Sequence, residues 1–247
     1  MLTQLQSAFT RGQVLKVITG LNNFNPEKVL KVAKAATLGK ATFLDIAADA
    51  ELVRLVRNIS HLPICVSAVE PEKFINPIKA GADLIEIGNF DSFYSVGRYF
   101  GAEEVLELTK QTRALFPNIT LSVTVPHILT LSEQVILAEE LVKNGADIIQ
   151  TEGGTSSNPV HAGTLGLIEK AAPTLAATYE ISRNVSVPVL CASGITNVTA
   201  KMAIAAGASG VGVGSAINQL NDEIAMIAAV RSIVESLTIV NNSVVKV

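Results

Sequence analysis

Two glycine-containing stretches decide the predicted fold: Pro188-Val-Leu-Cys-Ala-Ser-Gly-Ile195 and Ala206-Gly-Ala-Ser-Gly-Val-Gly-Val-Gly-Ser-Ala-Ile217. Each places a short apolar strand directly before glycine and serine, and residues 196–206 between them predict one helix. Glycine lets an anion approach the backbone, and helix N-termini attract negative charge. In a (β/α)₈ barrel a phosphate site usually follows strands 7 and 8. The two stretches therefore predict the end of a phosphate-binding barrel.

A helix followed by glycine and a β-rich run recurs at Leu38–Ile46, Ala80–Ile87, Asn144–Gln150 and Ala206–Val213. Glycine directly after a helix commonly caps it in the left-handed conformation, so these segments predict helix-to-strand junctions. Filling the intervals predicts strands near residues 13–19, 41–47, 63–68, 83–88, 119–125, 147–152, 188–193 and 210–214. The same pattern predicts helices near residues 26–38, 49–59, 71–80, 101–116, 131–144, 173–184, 196–206 and 220–237.

Eight alternations without an interior linker predict an α/β fold with a single TIM-barrel domain over residues 1–247. The length is close to the typical barrel size of about 250 residues. Leu2, Leu5 and Phe9 have helical spacing. Residues 1–12 therefore form either a helix that covers the barrel floor or a frayed terminus.

Composition excludes several classes of partner. Hydrophobic residues make up 49% of the chain and charged residues 17%, which suits a buried parallel sheet covered by helices. A net charge of −3 without a basic stripe argues against nucleic acid binding. No apolar run reaches the roughly 18 residues that span a membrane, and the start lacks signal-peptide features. Cys65 and Cys191 make no disulfide framework, so we expect a reduced, cytoplasmic compartment. The composition does not indicate an oligomeric state.

The alternation of side chains along the strands predicts a polar barrel interior. Bulky branched residues at one parity should face the helices, and the other parity should face inward. A purely structural interior would be mostly Val, Ile and Leu. The predicted inward-facing residues are polar on nearly every strand: Lys16, Asp45, Cys65, Ser67, Glu86, Ser122, Thr124, Gln150, Glu152, Cys191 and Ser193.

Lys16, Asp45 and Glu86 are the candidate catalytic residues within this interior. An isolated buried charge is costly, so these three side chains should pair with one another. The pairing is either a salt-bridge network that sets strand register or an acid/base or Schiff-base centre with a shifted lysine pKa. The sequence leaves both interpretations open.

Residues near the strand ends are candidates for positioning a substrate. Asn89 either orients a substrate carbonyl or hydroxyl or caps a turn. His127 is either a general base or a solvated loop residue. The complete positioning set is Asn89, Thr124, His127, Gln150 and Glu152.

We expect the phosphate contacts in three segments: the long irregular loop over residues 152–166 and the two glycine turns, Ser193–Gly194 and Gly214–Ser215. Cys191 has no neighbouring histidine to activate it, which favours a small core residue. No set of His, Cys and carboxylate residues shows metal-ligand spacing, so no metal site is predicted. The predicted phosphate-binding residues are Gly153, Gly154, Thr155, Ser193, Gly194, Gly214 and Ser215.

Two family resemblances extend these predictions. Cys191-Ala-Ser-Gly-Ile195 with Gly212-Val-Gly-Ser215 resembles the phosphate grip of TIM barrels such as thiazole synthase, indole-glycerol-phosphate and histidine-pathway enzymes, and flavin mononucleotide barrels. Over the whole chain, four segments resemble the hypothetical chloroplast open reading frame 23 family of plastid-encoded and cyanobacterial proteins: residues 15–24, 45–48, 86–90 and 150–155. This second resemblance implies a TIM barrel in the cyanobacterial cytoplasm or plastid stroma, and it carries over no catalytic residues.

The sequence therefore predicts an enzyme of the lyase, isomerase or synthase type that acts on a small phosphorylated metabolite. An FMN-dependent oxidoreductase would use the same phosphate grip, although the chain has no Trp and few aromatic residues to cover a flavin ring. A non-catalytic metabolite-binding or regulatory barrel is the third interpretation. The fold alone does not decide among them.

Overall fold

The computed structural model describes residues 3–153 and 157–238. Within these residues, eight parallel strands close into a barrel in which each strand pairs with the next and the last pairs with the first. This topology confirms the predicted (β/α)₈ barrel. The strands are β1 (Val14–Ile18), β2 (Phe43–Ala47), β3 (Ile64–Ala68), β4 (Leu84–Ile87), β5 (Thr120–Val125), β6 (Ile148–Thr151), β7 (Val189–Ala192) and β8 (Gly210–Val213).

Helices connect successive strands and cover the outside of the barrel. None of the helices in the described part of the chain is long and apolar enough to cross a membrane. A 3₁₀ turn at Pro71–Phe74 leads into α4. The helices are α1 (Thr3–Thr10), α2 (Pro26–Gly39), α3 (Ala50–Arg57), α4 (Ile75–Lys79), α5 (Asp91–Tyr94), α6 (Ala102–Leu115), α7 (Leu131–Lys143), α8 (Gly163–Ile181), α9 (Ala200–Ala205), α10 (Ser215–Asn218) and α11 (Glu223–Thr238).

The glycine junctions behave as predicted in three of the four places, within the described residues. Gly81, Gly145 and Gly207 have φ values of 107°, 98° and 103°, which favour glycine. At the first junction Lys40 takes the left-handed position instead, with φ of 65°. Gly39 is required there for space, because a Cβ would lie 2.4 Å from Cγ1 of Val230 on α11. That glycine therefore allows α2 and α11 to pack closely.

The barrel interior is apolar at its floor. Leu5 and Phe9 of α1 are 2% and 4% exposed and pack against inward-facing strand residues. Burying such side chains stabilises each by about 1.5–3 kcal/mol. The strand residues in this floor cluster are Val14, Phe43, Cys65, Leu84, Ile148 and Leu190.

The predicted inward orientation of Cys191 is wrong. Its Sγ lies 3.7 Å from Oγ1 of Thr174 on α8, so it faces the helix layer. Register explains the error, because Cys191 pairs with Thr151 on β6, whose hydroxyl also contacts Thr174. Leu190 and not Cys191 belongs to the interior floor cluster.

The predicted and observed helix boundaries differ most near the carboxyl ends of the strands. The predicted helix over residues 173–184 is α8, which begins ten residues earlier at Gly163 and contains Pro173 in its interior. Proline is most common in a first helical turn, so its position in the interior of α8 is unusual. Two short helices that the pattern did not indicate, α5 and α10, follow β4 and β8.

Candidate functional site

A cavity of about 480 Å³ lies at the carboxyl ends of the strands. Of the predicted site residues, seven line it among the residues that the structure describes: Asn89, Gln150, Glu152, Ser193, Gly194, Gly214 and Ser215. The other walls include Asp91, Lys170 and Gly212. Gly154 and Thr155 lie outside the described residues. Parallel strands present their carboxyl ends together, which is where TIM-barrel active sites form.

The barrel interior next to the cavity holds the lysine network, defined as Lys16, Asp45 and Glu86. The Lys16 ammonium lies 3.0 Å from Oδ2 of Asp45 and 2.6 Å from Oε2 of Glu86. It also donates to Oε1 of Gln150 at 3.0 Å. All three network side chains are at most 1% exposed. The predicted pairing of these charges is therefore present, with strands β1, β2 and β4 each contributing one group.

The electrostatics of the lysine network keep Lys16 charged. Burial alone lowers the pKa of Lys16, but the charges of Asp45 and Glu86 outweigh burial and hold that pKa above its ordinary value. Burial raises the pKa of Glu86, and Lys16 opposes that effect. A Schiff-base lysine must reach its neutral form. The two ion pairs and the raised pKa therefore favour the charged form of Lys16.

Two side-chain amides connect the lysine network to the cavity. Nδ2 of Asn89 donates to Oδ2 of Asp45 at 3.3 Å and to Oε1 of Glu86 at 3.2 Å. Nε2 of Gln150 donates to Oε1 of Glu86 at 2.9 Å and to Oγ1 of Thr124 at 3.2 Å. Asn89 and Gln150 line the cavity, whereas the three charged groups do not. Asn89 and Gln150 therefore connect the lysine network to the cavity by hydrogen bonds.

The backbone after β4 is shaped to present Asn89. Asn89 has φ of 62°, a left-handed conformation that is uncommon for a residue with a side chain. Gly88 precedes it with φ of 145°, and a Cβ there would lie 2.2 Å from Oγ1 of Thr124. The next residue, Phe90, is fully buried and packs on Phe100 with ring centroids 4.6 Å apart. Backbone strain of this kind gathers at functional sites.

A second group, the histidine cluster, comprises Asp91, His127 and Glu152. Nε2 of His127 lies 3.1 Å from Oδ1 of Asp91, and the His127 amide donates to Oε1 of Glu152 at 3.1 Å. The Tyr94 hydroxyl donates to the same Glu152 oxygen at 2.5 Å, and Oγ of Ser193 donates to Oδ2 of Asp91 at 2.8 Å. Three strand ends therefore bring their side chains together at the wall of the cavity.

Burial and charge alter proton affinity in the histidine cluster. Burial, assisted by the charge of Asp91, raises the pKa of Glu152 to about 8. Burial and the charge of Glu152 also raise the pKa of Tyr94. Burial lowers the pKa of His127, but the hydrogen bond to Asp91 and the nearby carboxylates raise it overall. One ligand atom from each member of the cluster lies within 4.8 Å of the others, a spacing compatible with ligands of one metal ion.

The glycine turns, Ser193–Gly194 after β7 and Gly214–Ser215 after β8, also line the cavity. Ser193 and Gly194 have successive φ values of 78° and 74°, and a Cβ on Gly194 would lie 2.9 Å from the Lys170 carbonyl oxygen. Gly214 precedes Ser215, the first residue of α10. Ser193 directs its hydroxyl to Asp91, so its side chain links the glycine turns to the histidine cluster.

Gly153 serves the packing of α8. A Cβ on this residue would lie 3.0 Å from Cβ of Pro173 and 3.0 Å from the Thr174 amide nitrogen. It is not among the described residues that line the cavity. Its absent side chain therefore brings the end of β6 close to α8.

Sequence reasoning missed three residues of this site, Asp91, Tyr94 and Lys170. Asp91 and Tyr94 lie on α5, a single helical turn with no periodic signal. Lys170 lies on the part of α8 that precedes the predicted helix start. A search for charged residues close after Asn89 would have found Asp91. Extending the predicted helix through Pro173 would have found Lys170.

A family described as "Protein of unknown function (DUF561)" matches residues 1–244 of the chain. Two relatives, both described as "Uncharacterized protein ycf23", match over most of their length. The protein from Cyanophora paradoxa is 48% identical over 87% of this chain and 88% of its own. The protein from Porphyra purpurea is 44% identical over 89% of this chain and 83% of its own. The chain belongs to the Ycf23 (DUF561) family. The resemblance seen in the sequence segments of this Ycf23 chain is thereby confirmed.

Solved structures share the fold of this Ycf23 chain at low identity. A 3-hexulose-6-phosphate synthase superimposes with a TM-score of 0.64 at 18% identity, covering 90% of this chain and 99% of its own. The (S)-3-O-geranylgeranylglyceryl phosphate synthase of Thermoplasma acidophilum, in complex with its substrate sn-glycerol-1-phosphate, gives 0.62 at 16% identity and covers 96% and 99%. At such identities the likeness concerns the TIM-barrel fold.

Proposed function

We propose that the protein is an enzyme of the lyase, isomerase or synthase type that acts on a small phosphorylated metabolite. The observation that carries this proposal is the polarity of the cavity. Lys170 and the glycines Gly194, Gly212 and Gly214 line the same cavity as the carboxylates of Asp91 and Glu152. A phosphate is stabilised beside a lysine and glycine backbone, while the reacting end of the molecule would meet the carboxylates.

The proposed phosphate contacts are Ser193, Gly194, Gly214 and Ser215, with Lys170 added. Gly214 lines the cavity beside Ile18, and a Cβ there would lie 3.4 Å from the Ile18 carbonyl oxygen. The contacts predicted for Gly153, Gly154 and Thr155 stay predictions. Binding energy from the phosphate would orient the remainder of the substrate over the polar interior.

The solved barrels support a phosphorylated ligand by analogy. The Thermoplasma acidophilum synthase holds sn-glycerol-1-phosphate on the same fold. Fold likeness alone does not transfer an activity. We use it here to choose sn-glycerol-1-phosphate as a probe beside inorganic phosphate.

The lysine network would assist the reaction through Asn89 and Gln150. These two amides contact both the charged groups and the cavity. We assign Lys16, Asp45, Glu86 and Thr124 as positioning residues that orient the amides toward a substrate carbonyl or hydroxyl. Preorganised dipoles of this kind stabilise charge that develops during a reaction.

The proposed compartment follows from the family and the cysteines. We propose that the protein works in the cyanobacterial cytoplasm or the plastid stroma. Cys65 and Cys191 are both buried free thiols, which suits a reducing environment.

Ligand-dependent unfolding tests the phosphate proposal. Inorganic phosphate or sn-glycerol-1-phosphate at about 100 times its dissociation constant should stabilise the wild type by about 2.7 kcal/mol. Lys170→Met should reduce this gain, and Lys79→Met, which removes an exposed lysine at the end of α4, should retain it. The proposal fails if neither probe stabilises the wild type, or if Lys170→Met responds as strongly as wild type.

Mass spectrometry and absorbance of the freshly purified native protein separate the alternatives. A co-purifying phosphorylated metabolite supports the proposal, and a yellow protein with flavin absorbance supports the FMN oxidoreductase. No aromatic side chain is among the described residues that line the cavity, which gives a flavin ring no stacking partner there. Binding without turnover of any metabolite that co-purifies would favour the regulatory barrel.

A further inference from the structure

We propose that Asp91, His127 and Glu152 bind one divalent cation at the wall of the cavity. The site goes beyond the proposed function, because cation binding does not require that a phosphate be bound. It also deepens that function, since Asp91 and Glu152 line the same cavity as Lys170. A first-row divalent ion such as Mn²⁺ fits a mixed set of one imidazole and two carboxylates.

The spacing of the ligand atoms fits a single ion. Two ligand atoms about 2.1 Å from a cation and at right angles to each other lie about 3.0 Å apart. Nε2 of His127 and Oδ1 of Asp91 are separated by 3.1 Å. The Glu152 carboxylate brings a third ligand atom, and no two of the three are more than 4.8 Å apart. Small rotations of the side chains would bring all three onto one ion.

Neighbouring groups hold these ligands in place. Oγ of Ser193 donates to Oδ2 of Asp91, which directs Oδ1 toward His127. The Tyr94 hydroxyl and the His127 amide both donate to Oε1 of Glu152, which orients the carboxylate. Outer hydrogen bonds of this kind are a regular feature of protein metal sites.

Charge balance also favours a cation. When both carboxylates are ionised and His127 is neutral, the cluster carries a formal charge of −2, and Glu152 is only 4% exposed. A bound cation would therefore displace the proton that the raised pKa of Glu152 otherwise retains. The lysine network, in contrast, contains its own cation, Lys16. A divalent ion would neutralise the histidine cluster and leave open positions toward the cavity, where it would polarise a substrate oxygen.

Equilibrium dialysis of Mn²⁺ against the full chain tests the site. We expect one Mn²⁺ per chain in the wild type, and at least tenfold weaker binding in Glu152→Gln and His127→Gln. Glu169→Gln is the matched control, because Glu169 and His161 form an exposed histidine–carboxylate pair elsewhere. The proposal is overturned if wild type shows no stoichiometric binding, or if Glu169→Gln loses the ion and Glu152→Gln retains it.

A measurement on the wild type covers the case in which these variants do not fold. The chain has three histidines, His61, His127 and His161. Substoichiometric Mn²⁺ should broaden the nitrogen-15 imidazole signals of His127 first, with the exposed His61 and His161 as internal references. Broadening of His161 or His61 with a sharp His127 signal would contradict the proposal.

The phosphate and cation proposals fail independently. Lys170→Met should retain Mn²⁺ binding while it loses the phosphate response. If phosphate has no effect in wild type and Mn²⁺ still binds at one per chain, the proposed function fails and the metal site stands. The reverse result refutes the metal site alone.

Discussion

The lysine network and the histidine cluster each combine two carboxylates with one basic side chain, yet only the histidine cluster contributes side chains to the lining of the cavity. Lys16, Asp45 and Glu86 are at most 1% exposed and do not line the cavity. Asp91 and Glu152 line the cavity, and the basic side chain in their cluster is the imidazole of His127. The comparison teaches that residue type alone does not separate a charge pair that organises a barrel from one poised to meet a ligand. The lysine network contains its own cation, Lys16, whereas the histidine cluster lies at the cavity, where a ligand could supply one.

The largest effect should come from Lys16→Met. This change leaves two buried carboxylates without their cation, and breaking a buried ion pair typically costs about 3–5 kcal/mol. Urea unfolding of both proteins measures the loss. Lys79→Met, an exposed lysine, should change the free energy of unfolding by less than about 0.5 kcal/mol. If Lys16→Met were as stable as wild type and retained full turnover, neither a structural nor a catalytic role for Lys16 would survive.

A smaller effect should follow from removing one of the two amides that connect the lysine network to the cavity. Asn89→Ala deletes the donors to Asp45 and Glu86, which should cost about 1–3 kcal/mol. It also places alanine at a φ of 62°. Asn89→Gly loses the same hydrogen bonds but tolerates that conformation, so it should be more stable than Asn89→Ala by about 1 kcal/mol. Equal urea midpoints for the two variants would show that the backbone strain is not real.

Tyr94→Phe should affect the histidine cluster and leave the lysine network unchanged. The variant removes the donor to Oε1 of Glu152, with an expected loss of about 1 kcal/mol in unfolding free energy. Loss of a ligand-orienting hydrogen bond typically weakens metal binding by about tenfold or more. Mn²⁺ titration reports the second effect. Tyr179→Phe, at an exposed tyrosine, is the control, and unchanged affinity in Tyr94→Phe would remove Tyr94 from the site.

The smallest effect is an expected absence of reactivity. Burial raises the pKa of the Cys65 and Cys191 thiols, and the thiolate is the reactive form. A thiol reagent at neutral pH should therefore label neither cysteine in the folded protein and both in urea. Cys191→Ala isolates Cys65, which faces the same interior as Lys16. Fast labelling of Cys65 in that folded variant would mean that solvent reaches the interior, and the contrast between the two regions would disappear.

Much of the barrel was predictable because its signals are local. Alternating apolar residues and the glycines at Gly81, Gly145 and Gly207 marked strands and junctions within a few residues of their true bounds. The same parity argument identified Lys16, Asp45 and Glu86 as inward-facing. It failed for Cys191, because only the pairing with β6 decides which face of β7 turns inward.

Other parts of the site depend on segments without periodicity. The one-turn helix α5 carries Asp91 and Tyr94, and four residues are too few to show a helical pattern. Lys170 was missed because the predicted helix began only at Pro173. The structure places Pro173 inside α8, which begins at Gly163. Such positions are decided by packing, here by the close approach of Gly153 to α8.

The sequence by itself determined the eight-fold alternation, the membership of the Ycf23 family and the polar character of the barrel interior. These follow from hydrophobic periodicity and residue identity, which act between neighbours in the chain. Only the tertiary structure decided that Asp91, His127 and Glu152 meet at one wall of the cavity. The residues are 25 to 61 positions apart along the chain. Parallel pairing of β4 with β5 and of β5 with β6 brings their strand ends together, and no interaction between chain neighbours carries that information.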